Sequence, residues 1–220
     1  VVKPRVTQLV RSASAVGQLP HTQVPEVALV GKSNVGKSSL LNALAGSKIA
    51  RTSKTPGRTQ LINLFRVDGV GGPAQGPFGG AIGLVDLPGY GFAQAPPAVR
   101  AAWMDMIDAY LAEREELALG LVLVDARRGP DDDDREVFDW FRAERRARRL
   151  DVVAVATKLD KLTKAQQKPA VLAIARALGG GAVEVVGTSA ETGLGIDLLE
   201  GRIAVARRSF VSGRAGDPVG

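Results

Sequence analysis

The string Gly31-Lys32-Ser33-Asn34-Val35-Gly36-Lys37-Ser38 restricts the possible folds of this chain more than any other. It has the form G-x-x-x-x-G-K-[ST]; it follows the apolar run Val27-Ala28-Leu29-Val30 and precedes Ser39-Leu40-Leu41-Asn42-Ala43-Leu44, a helical composition. The glycines let the backbone curl until successive N–H groups converge, and the helix N-terminus behind them adds partial positive charge. Strand, glycine loop and helix in that order form a phosphate cradle. Lys37 is expected to reach the β- and γ-phosphates of a nucleotide, and the Ser38 hydroxyl to sit on Mg²⁺.

Around the cradle, short apolar runs alternate with amphipathic stretches. Strands are expected at Glu26–Val30, Leu61–Val67, Ala81–Val85, Leu119–Val124, Val152–Ala156 and Ala182–Val186. Helices are expected near Lys37–Ala45, Pro97–Glu116, Asp131–Arg149, Lys164–Leu178 and Gly195–Arg207. Several strands are apolar on both faces, as in a parallel sheet covered on each side. The alternation predicts a three-layer α/β domain: a six-stranded, mostly parallel sheet with helices on both faces. Asp68–Gly80, rich in Gly and Pro, reads as a mobile loop joining two strands without a helix, so one strand should run antiparallel. The domain is expected to span 23–208, with a weakly ordered extension at 1–22 and a disordered tail at 209–220.

Two further motifs fall at expected strand ends. Asp86-Leu87-Pro88-Gly89 follows Ala81–Val85; its Asp can hold Mg²⁺ through water and its Gly N–H can meet the γ-phosphate. Thr157-Lys158-Leu159-Asp160 follows Val152–Ala156, where a carboxylate can accept the N1–H and N2–H₂ of guanine and the Lys158 stem can cover the ring. Ser189-Ala190 follows the last strand through Gly187 and Thr188, with backbone N–H groups placed for the guanine O6. Three elements at three carboxyl edges meet in one crevice and favour GTP over ATP. Between the first two motifs, the polar stretch Arg51–Gln60 lies where a segment could close over the phosphates when a γ-phosphate is present, or serve simply as a basic linker.

Composition narrows the class. The 220 residues contain no Cys and one His, His21, which excludes a disulfide scaffold, a Cys-based zinc site and a His-rich metal site. No apolar run reaches the roughly 20 residues of a membrane span, and 1–19 lacks the hydrophobic block of a signal peptide, so no membrane partner and a cytoplasmic setting are expected. The net charge of +6 suits a polyanionic partner.

These residues together resemble the EngB ribosome-assembly GTPases of the Era-like group. Gly31–Asn42 matches G-[RK]-S-N-V-G-K-S-S-L-[IL]-N, and Ser53–Asn63 matches S-K-T-P-G-R-T-Q-L-I-N throughout. Asp86–Ala93 matches D-L-P-G-Y-G-[YF]-A, and Asp125–Pro130 matches D-A-R-x-G-P. The resemblance implies that Gly57, Arg58, Thr59, Gln60 and Leu61 cover the nucleotide, that Thr59 joins Ser38 on Mg²⁺, and that GTP is hydrolysed to GDP during assembly of the large ribosomal subunit. It implies contacts to rRNA and ribosomal proteins, with no DNA partner expected; a monomer is the default because the sequence shows no exposed apolar stripe. Arg142, Arg145, Arg146, Arg148, Arg149, Arg207, Arg208 and Arg214 agree with such a partner or form solvated helix faces. The acidic run Asp131–Asp134 is read as the start of a helix, where carboxylates suit the dipole, and not as a metal site.

The catalytic assignment rests on Lys37, Thr59 and Asn34. Tyr90 follows D-x-x-G, where many GTPases carry a water-orienting Gln, so slow intrinsic turnover is expected. Asn34 is similar to the Asn of potassium-activated relatives, so it either marks a K⁺ site or only braces the loop. The sequence departs from the family pattern in the 68–80 insertion and at Arg128, where His is frequent. A guanine-nucleotide sensor that does not hydrolyse its ligand is the alternative reading.

Overall fold

The structure is a computed structural model that describes residues 5–50, 61–70, 80–91, 96–147 and 150–215. Its elements run β1 (Thr7–Ala13), β2 (Glu26–Gly31), α1 (Lys37–Ala45), β3 (Ile62–Asp68), β4 (Ala81–Asp86), α2 (Pro97–Glu113), β5 (Leu117–Asp125), α3 (Asp132–Ala147), β6 (Asp151–Thr157), α4 (Lys164–Ala177), β7 (Val185–Gly187) and α5 (Ile196–Ala215). The sheet has seven strands in the order β1-β3-β4-β2-β5-β6-β7. From β4 to β7 all pairings are parallel, whereas β3 is antiparallel to both β4 and β1. The α/β class is as expected, with one strand more than the sequence suggested.

That strand is β1, within the segment expected to be weakly ordered. Its residues show little alternation and most are exposed, so local pattern hides it. Pairing with β3 defines it, with a register shift between Leu9 and Arg11. Ser12 donates to the Asn63 side chain at 2.6 Å. Arg5 bonds the Leu44 carbonyl and Glu200, and Thr7 Oγ1 donates to the Ala45 carbonyl at 3.2 Å. At the other end, α5 continues past residue 208 to Ala215, so the boundary of the expected tail also moves.

Two apolar layers sandwich the sheet. Alternate residues of β2 separate them: Ala28 and Val30 join Trp103, Ile107, Val137, Phe138, Phe141 and Ile174 from α2, α3 and α4. Val27 and Leu29 face Leu40, Leu41 and Leu44 of α1 and Leu199 and Ile203 of α5. Each fully buried Leu of α1 stabilises the fold by roughly 1.5–3 kcal/mol. The α3–sheet contact is close because β5 carries Gly120 there: a Cβ on it would lie 2.4 Å from Phe141 Cδ1. Pro97 opens α2 at a position where its missing N–H costs nothing. Among the described residues no helix is long and apolar enough to cross a membrane.

Candidate nucleotide site

Parallel pairing brings the carboxyl ends of β2, β4, β5 and β6 to one edge of the sheet, and the sequence motifs lie there. The phosphate loop leaves β2 at Gly31, passes Asn34 at φ +64° and enters α1 through Gly36 at φ +110°. Gly36 has a backbone that L side chains rarely adopt, which explains the residue. The loop is braced from three sides. Ser33 N–H donates to the Tyr90 carbonyl at 2.9 Å. Thr157 Oγ1 donates to the Val35 carbonyl at 2.6 Å, and Lys158 Nζ donates to the Asn34 carbonyl.

Lys37 Nζ forms an ion pair with Asp86 at the end of β4. Leu87 N–H bonds the Leu29 carbonyl at 3.1 Å, and a Cβ on Gly89 would lie 3.2 Å from the Gly31 carbonyl. The D-x-x-G turn therefore rests directly on the phosphate loop. Trp103 Nε1 fixes its far side by donating to the Pro88 carbonyl at 2.9 Å.

The base motifs line a cleft of about 170 Å³ bounded by Gly36, Leu40, Lys158, Asp160, Thr188 and Ala190, among others. Asp160 accepts from Ser189 Oγ at 2.7 Å and pairs with Lys161 at 3.1 Å. The Ser189 bond holds its carboxyl below the usual range, with Lys161 adding to the effect. Lys158 pairs with Asp125 at 2.9 Å. Burial opposes the charge on Asp125, but hydrogen bonds from Arg127 and Lys158 outweigh it and keep that carboxyl well below its ordinary value.

Several expectations change in detail. Ser189 N–H bonds the Leu194 carbonyl at 2.9 Å, so it is not available for a guanine O6; Ala190 supplies the remaining amide of the pair. Thr157 serves the phosphate loop through its hydroxyl and does not itself reach out to a base. Gly57, Arg58, Thr59 and Gln60 lie outside the described residues, while Leu61 precedes β3.

Sequence reasoning places the acidic run at a helix start but misses its contacts to the nucleotide loops. Asp131 and Asp134 cap the start of α3 reciprocally, each accepting the other's N–H at 3.2 Å. The same acidic run reaches both nucleotide loops: Lys32 pairs with Asp131 and with Asp133, the latter at 2.9 Å, and Tyr90 donates to Asp134 at 2.6 Å. Tyr90 is buried, with its ring edge-on to Trp103 at 5.3 Å. Burial, and then the neighbouring Asp134, push its phenol far above the ordinary value. Its side chain points into the core. Ninety-nine residues separate Lys32 from Asp131, and no local pattern announces the pairing.

Known proteins resemble this chain in sequence and fold. Residues 26–158 match the family model described as 50S ribosome-binding GTPase. Over 205 residues the chain is 41% identical to a probable GTP-binding protein EngB of Geobacter metallireducens, covering 93% of each. It is similar to the crystal structure of Aquifex aeolicus Era bound to GDP.AlF4-, with 28% identity and a TM-score of 0.64, covering 84% of this chain and 57% of that one. It is also similar to Era in complex with MgGDPNP and nucleotides 1506–1542 of 16S ribosomal RNA, at 25% identity and a TM-score of 0.60, covering 91% and 60%. The chain thus spans somewhat over half the length of those Era chains. Fold and site together are those of a P-loop GTPase. Within that class, the chain belongs to the EngB family of GTP-binding proteins.

Proposed function

We propose that this protein hydrolyses GTP to GDP as a switch in assembly of the large ribosomal subunit, acting in the cytoplasm. The observation that carries the reading is the convergence of Lys37–Asp86 and Asp160–Ser189 at one sheet edge, on either side of α1's N-terminus. Lys37 and the loop amides bind the phosphates, and Asp160 with the Ala190 amide reads guanine. The Ser38 hydroxyl and the Asp86 carboxylate are hard oxygen donors of the kind Mg²⁺ takes alongside phosphate oxygens. Thr59 is assigned to the same ion. Among the described residues no cluster of His, Cys, Asp or Glu could hold a metal by itself.

Hydrolysis here relies on positioning and charge, since Tyr90 is committed to Asp134 and offers no help to a water. Turnover of the isolated protein is slow. Asn34 and a K⁺ ion are assigned the compensating role; equal rates in KCl and NaCl would remove that assignment. Support for the ribosomal role comes from the family description and from the RNA-bound Era relative. Depletion followed by ribosome profiles tests it: incomplete large subunits should accumulate, and unchanged profiles would refute it. Single-turnover phosphate release separates the enzyme from a sensor that only binds.

A further inference from the structure

We infer that the outer face of α4 is an RNA-docking surface, on which Lys164, Lys168 and Arg176 neutralise phosphates of ribosomal RNA. The inference rests on the assembly role proposed above and names the face that would carry it.

A four-residue spacing puts Lys164, Lys168, Leu172 and Arg176 in one inclined row along α4, about 18 Å from end to end. All four are exposed, and Leu172 is 46% accessible. The inner face of the helix turns Val171, Ile174 and Leu178 into the core. Between the cations the outward residues include Ala165, Pro169 and Ala173, small side chains that leave room for a backbone to approach, alongside the exposed Gln166.

The absence of carboxylates separates this row from an ordinary solvated face. The helices α2, α3 and α5 mix Asp or Glu among their basic residues, and several of those cations are paired: Arg100 with Glu136, Arg135 with Asp132 and Arg202 with Glu184, although Arg207 and Arg208 of α5 form no ion pair among the described residues. No Asp or Glu occurs in α4, and none of its three cations forms an ion pair among the described residues. Unpaired, aligned cations favour a polyanion over a protein surface of mixed charge. Beyond the helix end Arg142 of α3 donates to the Leu178 carbonyl at 3.5 Å, but it is paired with Asp139 at 3.9 Å and so does not lengthen the unpaired row. At its other end, Lys161 and Asp160 join α4 to the guanine cleft, so a docked RNA adjoins the nucleotide.

The test compares the full chain with its Lys164→Gln/Lys168→Gln/Arg176→Gln variant in co-sedimentation with purified large-subunit precursor particles over a series of KCl concentrations. None of the three residues lines the nucleotide cleft, so GDP affinity and helix content should match the parent protein. The variant should bind particles roughly tenfold or more weakly, and its log–log salt slope should fall by about two to three, close to one unit for each phosphate left without its cation. The Lys164→Arg/Lys168→Arg/Arg176→Lys variant should bind as the parent does. A Gln variant with parental affinity and slope overturns the docking face while leaving the assembly role standing. Weaker binding with an unchanged slope also overturns it, since a protein surface would then occupy the face. If the parent protein binds no particle in any nucleotide state, the assembly role itself falls.

Discussion

The Tyr90 hydroxyl donates a 2.6 Å hydrogen bond to the Asp134 carboxylate, tying the turn after Asp86-Leu87-Pro88-Gly89 to the start of α3. Both groups are buried, and the Tyr90 carbonyl in turn holds the phosphate loop through Ser33. Tyr90→Phe removes the side-chain donor to one oxygen of a buried carboxylate, leaving only the Asp131 N–H on the other, and should cost about 1–3 kcal/mol. Burial already raises the Asp134 pKa, so the variant's deficit should shrink as acid protonates that carboxyl. Urea unfolding at neutral and mildly acidic pH reads both effects.

Guanine selectivity is assigned to a carboxylate that Ser189 and Lys161 hold ionised. Asp160→Asn removes two charge-assisted acceptors and should weaken GDP binding by roughly ten- to a hundredfold. Xanthosine diphosphate, which carries a carbonyl where guanine has its amino group, should gain relative to GDP. Titration with fluorescent nucleotides measures the pair, and an Asn variant with parental GDP affinity would remove the base assignment from this cleft.

The packing of Gly120 against Phe141 predicts an intolerant position. A methyl group placed 2.4 Å from the ring must push α3 off the sheet. Gly120→Ala should destabilise by about 1–3 kcal/mol, and Phe141→Leu should recover part of the loss. Thermal unfolding of the two single variants and the double variant checks the coupling.

Acid stability should register Asp125. A carboxyl with a lowered folded pKa contributes stability that is complete above its unfolded value and disappears as pH falls through the folded one. Asp125→Asn should therefore be less stable near neutrality and lose less on acidification below about pH 4. Parallel slopes for parent and variant would mean that the Lys158 and Arg127 bonds are not maintained in solution.

The order of the nucleotide motifs is legible in the sequence because each is a contiguous string at a strand end. The helices are legible for a similar reason: Lys37–Ala45 is predicted residue for residue, since glycines bracket it. What escapes depends on distant partners. β1 is a strand only because β3 lies beside it, and β7 shrinks to Val185–Gly187 because Gly180–Ala182 forms a tight helical turn before it. The acidic run at 131–134 reads as a helix start from sequence, as the structure bears out, but its hold on Lys32 and Tyr90 requires the folded sheet. Spacing places the Ser189 amide at the base, although the turn returning at Leu194 takes it.

The anchoring of the N-terminal segment has a practical corollary for truncation. Arg5 and Thr7 bind the Leu44 and Ala45 carbonyls, the orphan acceptors at the far end of the helix whose near end cradles phosphate. Clipping the chain ahead of Ser14 would strip an edge from the sheet and loosen that helix from behind. Nucleotide affinity should then decline although every residue facing the ligand stayed intact.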